Sequence, residues 1–301
     1  MKKLIAIALA LVLVLSLAGC DASDYKKAVS SMDAGDYAAA SAAFKALGDY
    51  KDSADLAKKC DYSLAKADYD AGNYEDAAKA FEALGDYEDC ADLLVKANDA
   101  ITTKALVGSW ETDAKDYSDL ILSSILTAGG DDLADALSYC NFGSFDLKLD
   151  MTIKEDGTYS ASVNQDSYDA AVSGYLDALK TGLKDYYVAT IEANLSSQGY
   201  TLEDAYAELG VSDVDGLIEA SLGMTYDDLF DALGYQEFLT ALSENLSYDG
   251  KYTVENGALT FTSNGEDELG TYDAAADTVT LTGTADGDAD TDLYPQVFHR
   301  A

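Results

Sequence analysis

One histidine, His299, stands beside Arg300 near the C-terminus of this 301-residue chain, and the four cysteines Cys20, Cys60, Cys90 and Cys140 are widely spaced. Acid–base or nucleophilic catalysis needs a base, a nucleophile and an orienting group within hydrogen-bond reach. A lone histidine on a terminal strand is expected to be structural. The sequence contains no GxSxG, HExxH, Walker or Rossmann glycine pattern. Carboxylates are abundant, so paired-acid glycoside hydrolysis stays open, although no segment joins two acids to an aromatic-lined strand end. The run Asp286-Gly287-Asp288-Ala289-Asp290-Thr291-Asp292 begins like a calcium loop. Thr291 occupies the glycine position and Val297 the position of the bidentate acid, so a solvated loop is expected, with weak surface calcium binding as the alternative. No catalytic residue, metal centre or cofactor is expected.

The chain carries 56 acidic against 19 basic residues. Such a surface repels nucleic-acid phosphates, and nucleic acid is excluded as a partner. With 48% hydrophobic residues and 22 tyrosines, the chain still has the means to bury large cores, and its length suggests two domains.

The N-terminus joins Lys2 and Lys3 to an apolar run from Leu4 to Leu15 and then to Leu17-Ala18-Gly19-Cys20. This is a charged region, a hydrophobic region and a small-residue cleavage site, too short for a spanning helix of about 20 apolar residues. It resembles the bacterial lipobox. That resemblance implies a signal peptide over 1–19 and acylation of Cys20 by two or three chains such as palmitate. The expected product is a lipoprotein of the cell envelope, lipid-anchored on the extracytoplasmic face of the membrane.

A period of 37 residues runs between Asp24 and Leu93, aligning Gly35 with Gly72, Phe44 with Phe81 and Gly48-Asp49-Tyr50 with Gly85-Asp86-Tyr87. Helices are predicted near 24–34, 37–47, 51–71, 74–84 and 88–104. The pattern resembles tetratricopeptide repeats, here placed at 20–104. The resemblance implies a surface for a protein partner, such as another envelope protein. A compact spacer is the alternative, because two repeats and one extra helix fall short of the roughly three that stabilise an array. In the repeat register Cys60 and Cys90 are offset by seven residues, about 10 Å along parallel helices. A disulfide needs Cα atoms within about 7 Å, so the pair is predicted not to be bonded.

From Leu106 onward the apolar period becomes two. Strands are predicted near 106–112, 143–153, 158–164, 251–255, 258–263, 267–272, 278–283 and 293–299. The fold class expected is α+β: an all-α repeat segment, then an eight-stranded antiparallel up-and-down barrel over 105–301. Helical insertions are expected at about 113–142 and 165–250. They fall on one rim, whereas the tight turns at Asp156-Gly157, Asn256-Gly257 and 273–277 fall on the other. Thr201 with Asp204 and Thr225 with Asp228 read as capping boxes. Gly108-Ser109-Trp110 resembles the GxW motif of the lipocalins and their calycin relatives, and that likeness implies a structural pair of Trp110 with Arg300 after the last strand.

The inward candidates Phe145, Met151, Tyr159, Tyr252 and Phe261 are the expected interior contacts for any small apolar ligand. Their bulk points to a filled core, yet eight strands can also hold one small ligand. The insertions are read as a lid or as a satellite against the barrel wall. The function expected is therefore non-enzymatic binding, of a protein through the repeats or a small ligand through the barrel. The alternative is a carboxylate-dependent hydrolase of envelope glycans.

Overall fold

The computed structural model describes residues 21–129, 131–245, 247–287 and 294–301. Cys20 and the segment 1–19 lie outside the described residues, as do residues 288–293 of the acidic run. The chain is α+β and forms two compact units: residues to Leu106 with Thr253–Leu259, and Val107–Tyr252 with Thr260–Ala301. Among the described residues no helix is long and apolar enough to cross a membrane.

The first unit holds α1 (21–33), α2 (Tyr37–Leu47), α3 (Ser53–Asp70), α4 (Tyr74–Leu84) and α5 (Cys90–Leu106). Its conformation repeats with its sequence. Gly35 and Gly72 sit at φ 80° and 79°, and Gly48 and Gly85 at φ 55° and 60°. A side chain is strained in such backbone, so glycine ends each helix there. Tyr25 donates to Asp52 at 2.6 Å, and 37 residues later Tyr62 donates to Asp89 at 2.6 Å. Phe44 and Phe81 are fully buried, each at the centre of its own core. Cys60 belongs to the first core and Cys90 to the second, and both are free thiols. Within this unit the Asp99 carboxylate accepts from the backbone N–H of Asn256 and of Gly257, both at 2.9 Å.

The second unit runs β1 (Gly108–Thr112), β2 (Lys115–Asp116), α6 (Ser118–Gly129), α7 (Asp131–Leu137), β3 (Asp146–Leu147), β4 (Leu149–Ile153) and β5 (Thr158–Val163). Then come α8 (Gln165–Ser197), α9 (Leu202–Leu209), α10 (Val214–Leu222), α11 (Tyr226–Ala232) and α12 (Tyr235–Asn245). The chain ends in β6 (Tyr248–Glu255), β7 (Ala258–Ser263), β8 (Glu266–Asp273), β9 (Thr278–Thr284) and β10 (Gln296–Arg300). Eight strands close in the order β1-β10-β9-β8-β7-β6-β5-β4, an up-and-down meander in which β1 pairs antiparallel with both β10 and β4.

Three strand expectations need correction. Leu106 ends α5 rather than opening β1, and β6 begins at Tyr248, three residues before the expected start. The strand expected over 143–153 is two. β3 leaves the barrel to pair with β2, placing Asp116 opposite Asp146. Hydrogen bonds from outside the segment cause the break. The Asp116 carboxylate accepts from the N–H of Phe145 at 3.0 Å, while Lys148 N–H donates to Ser167 Oγ at 3.1 Å and Lys148 O accepts from Asn164 N–H at 2.9 Å.

The helices of this unit have their own core, built on Tyr175. Phe142 stacks on it at 4.2 Å between ring centroids and Phe145 meets it edge-on at 5.3 Å. Ile121, Ile125, Leu179, Phe230 and Leu239 complete it. Both capping boxes form, with each threonine side chain accepting from its aspartate's N–H and each aspartate side chain from the threonine's. Leu233 is 52% exposed, because it caps α11 and the chain turns at Gly234.

Candidate functional site: the barrel interior and its polar mouth

Strand alternation turns Met151, Ile153, Tyr159, Ala161, Leu259, Phe261, Val279, Leu281 and Phe298 into the barrel, all buried. Phe261 is central, 4.9 Å from Tyr159 and 6.2 Å from Tyr252 between ring centroids. A Cβ on Gly250 would lie 2.1 Å from the Thr262 carbonyl oxygen and 2.9 Å from Tyr159 Cε1, so the tyrosine ring closes directly on backbone. Four of the expected interior residues, Met151, Tyr159, Tyr252 and Phe261, thus fill the barrel with side chains. Phe145 does not join them. It belongs to the helical core, because β3 departs from the barrel wall.

One end of the barrel is closed by Arg300. Its guanidinium carbon lies 4.1 Å from the centroid of the fully buried Trp110 ring. Its Nε and Nη2 donate to Asp277 at 2.7 and 3.0 Å, and its Nη1 donates to the Val107 carbonyl at 3.3 Å. The fork and the flat face are used together, as only arginine allows. Arg300 lies within β10 opposite Trp110 on β1, rather than beyond the strand as expected. The adjacent guanidinium holds the Asp277 carboxyl below its ordinary range, and the carboxylate pushes Arg300 up. His299 faces outward, its Nε2 3.7 Å from Asp113 Oδ2.

The other end is polar. On β8, alternation places Glu268 on the same face as Gly270 and Tyr272, and Glu268 pairs across the ladder with Thr284 on β9. Tyr294 donates its hydroxyl to Glu268 Oε1. The other carboxylate oxygen, Oε2, is buried without a hydrogen-bond partner, and so are Tyr159 Oη, Thr284 Oγ1 and Gln296 Oε1. An orphaned buried polar group costs about 1–3 kcal/mol, so four of them at one end of a barrel call for an explanation. Burial first, and the nearby Glu266 second, push the Glu268 carboxyl above its ordinary range against the opposing effect of the Tyr294 hydrogen bond. Burial likewise raises Tyr159, Tyr248 and Tyr294, and the Glu268 charge raises all three further. All three phenols therefore stay protonated, and Tyr294 bonds the carboxylate directly.

Two clefts flank this end. One of about 340 Å³ is lined by Glu266, Asp267, Thr284 and Asp286 among others, and one of about 170 Å³ by Thr112, Tyr117, Leu149 and Gln296 among others. A larger groove of about 700 Å³ among the helices contains Lys180 and Lys184. Both are tied to carboxylates, Lys180 to Asp227 at 2.8 Å and Lys184 to Asp215 at 2.6 Å, so these lysines brace α8 against α11 and α10. Among the described residues no group of three or more His, Cys, Asp or Glu side chains is arranged to hold a metal ion.

Sequence reasoning missed Glu268, Thr284, Tyr294, Gln296 and Tyr248. A signal existed for Glu268 alone: a carboxylate at an inward position of an alternating strand, in step with Gly270 and Tyr272. In comparisons with known proteins, the chain matches no family model, no curated protein and no solved structure.

Proposed function

We propose that this chain is a lipoprotein held by acyl chains on Cys20 at the extracytoplasmic face of the membrane, and that its barrel is a non-enzymatic module binding a small polar ligand at the Glu268 end. The observation that carries the reading is the buried, unpartnered Oε2 of that carboxylate together with the three other unpartnered oxygens of Tyr159, Thr284 and Gln296. The filled inner layers argue against an apolar ligand deep in the barrel, and the polar mouth argues for a hydrogen-bonding one. A lipocalin-like reading of the barrel draws support from the eight-stranded meander and from Arg300 over Trp110. A tetratricopeptide-like reading of the helices draws support from the 37-residue recurrence of glycine conformation and of the Tyr–Asp hydrogen bond. The helices then serve as a contact surface for an envelope protein or as a spacer.

A ligand that binds only the folded chain raises its melting temperature by mass action. Full chain purified from its own membrane in mild detergent should therefore melt higher than the same material after unfolding, dialysis and refolding. The low-molecular-weight fraction released should restore the difference, and Glu268→Gln should abolish it. Identical melting before and after stripping would contradict the proposal. For the anchor, Cys20→Ser should release the chain from membranes and end incorporation of labelled palmitate.

A further inference from the structure

We propose that the group recognised at the barrel mouth is a primary ammonium, carried by a small amine that enters through the acidic cleft beside Thr284; this rests on the binding-module reading given above.

The unpartnered atoms state what they need. Glu268 Oε2 and Gln296 Oε1 can only accept, whereas Tyr159 Oη and Thr284 Oγ1 can donate or accept. Tyr159 is 2% exposed, so its hydroxyl is held in place by a fully packed ring. A ligand that satisfies such a set must bring donors. Glu268 adds a negative charge, which the carboxylate of Glu266 disfavours. Four basic residues of this unit are paired with other carboxylates, Lys148 with Glu111, Lys180 with Asp227, Lys184 with Asp215 and Arg300 with Asp277, and Lys115 lies 5.8 Å from the Tyr117 ring centroid. A bound donor with a positive charge therefore completes the site.

The cleft supplies an independent reason. Glu266, Asp267 and Asp286 line it together with Thr284, so it concentrates cations next to one of the four oxygens. An ammonium offers three donors on one centre, suited to a carboxylate, a carboxamide oxygen and hydroxyls. A divalent metal ion suits the site less, since one carboxylate falls short of the charge that calcium sites gather. An anion would meet Glu268 directly. The tyrosine rings add faces for the cation, Tyr159 and Tyr248 standing 6.1 Å apart and edge-on. Solvent reaches none of the four oxygens as the side chains stand, so entry requires rotation of Glu268, Tyr294 or Gln296, each only partly buried as a residue.

Three probes of matched size separate charge from hydrogen bonding: ethanolamine, ethylene glycol and glycolate, each titrated calorimetrically at neutral pH into stripped, refolded full chain in detergent. Ethanolamine should bind at least about tenfold more tightly than ethylene glycol, with no heat from glycolate. Glu268→Gln should weaken ethanolamine at least about tenfold, and Tyr159→Phe should weaken it by a smaller factor, both with unchanged circular dichroism. Equal binding of ethylene glycol and ethanolamine, or ethanolamine binding that survives both substitutions, overturns the ammonium assignment. Heat from none of the probes overturns it too. In either case the melting difference between native and stripped chain would still stand if the binding-module reading is right, and its absence would mark the failure of both.

Discussion

Arg300 bonds Asp277 through two nitrogens at 2.7 and 3.0 Å while its guanidinium carbon lies 4.1 Å from the Trp110 ring centroid. The residue thereby ties the last strand of the barrel to the first and to the turn that opens β9.

Removing Arg300 should loosen this closure. Arg300→Ala is expected to cost about 1–2 kcal/mol from the cation–π contact and lost packing, and Arg300→Lys most of the same, because an ammonium cannot fork to a carboxylate and lie flat on indole together. Gly108→Ala should act similarly, since a Cβ there would lie 2.7 Å from Arg300 Nη1 in backbone at φ 145°. Urea unfolding of the three variants checks both expectations.

Acid should undo the same clamp. The Arg300 guanidinium holds Asp277 below its usual value of 3.8, so the native state binds fewer protons than the unfolded chain. The contribution is fully present above that value and is lost as pH falls through the depressed one. Asp277→Asn should flatten the acid limb of the melting-temperature profile.

Glu268 should show the opposite sign. Its carboxyl is raised from 4.5, so the native state binds more protons than the unfolded chain above that pH, and stability falls as pH rises toward the raised value. In ligand-stripped chain, Glu268→Gln should therefore melt higher than wild type at pH 7, with the gap closing as pH drops toward 4.5. A gap that widens in acid would contradict the burial of this carboxylate.

The thiols test the repeat register. Cys60 and Cys90 are fully buried in different cores, and burial raises both above the usual thiol value of 9.0. Mass measurement of the denatured, unreduced chain should find both unbridged, and neither should react with iodoacetamide until the helices unfold. A Cys60–Cys90 bridge would overturn the register.

Local regularity decided how much could be read in advance. The helices of the first unit were legible because Gly35, Gly48, Phe44 and their partners 37 residues on repeat both spacing and residue type. The barrel strands were legible from alternation, and Trp110 with Arg300 from a short motif near one end and a single arginine at the other. The break at Lys148 was not legible. Its causes, Asp116, Asn164 and Ser167, lie up to 32 residues from the strand position they disrupt, and nothing within 143–153 announces them. Phe145 was misplaced for that reason. The mouth was hidden differently: Glu268 alternates inward in plain view among 56 acidic residues, but the burial of its Oε2 without a hydrogen-bond partner is a property of packing.

The unpartnered oxygens of Glu268, Tyr159, Thr284 and Gln296 are proposed to hold a small polar molecule. Native mass spectrometry of the full chain, taken from its own membrane in mild detergent, addresses it most directly. A non-covalent adduct should be present, be released on denaturation and be missing from Glu268→Gln chain prepared in the same way. Wild-type protein at the bare mass of the acylated chain, or an adduct that persists in Glu268→Gln, would contradict it.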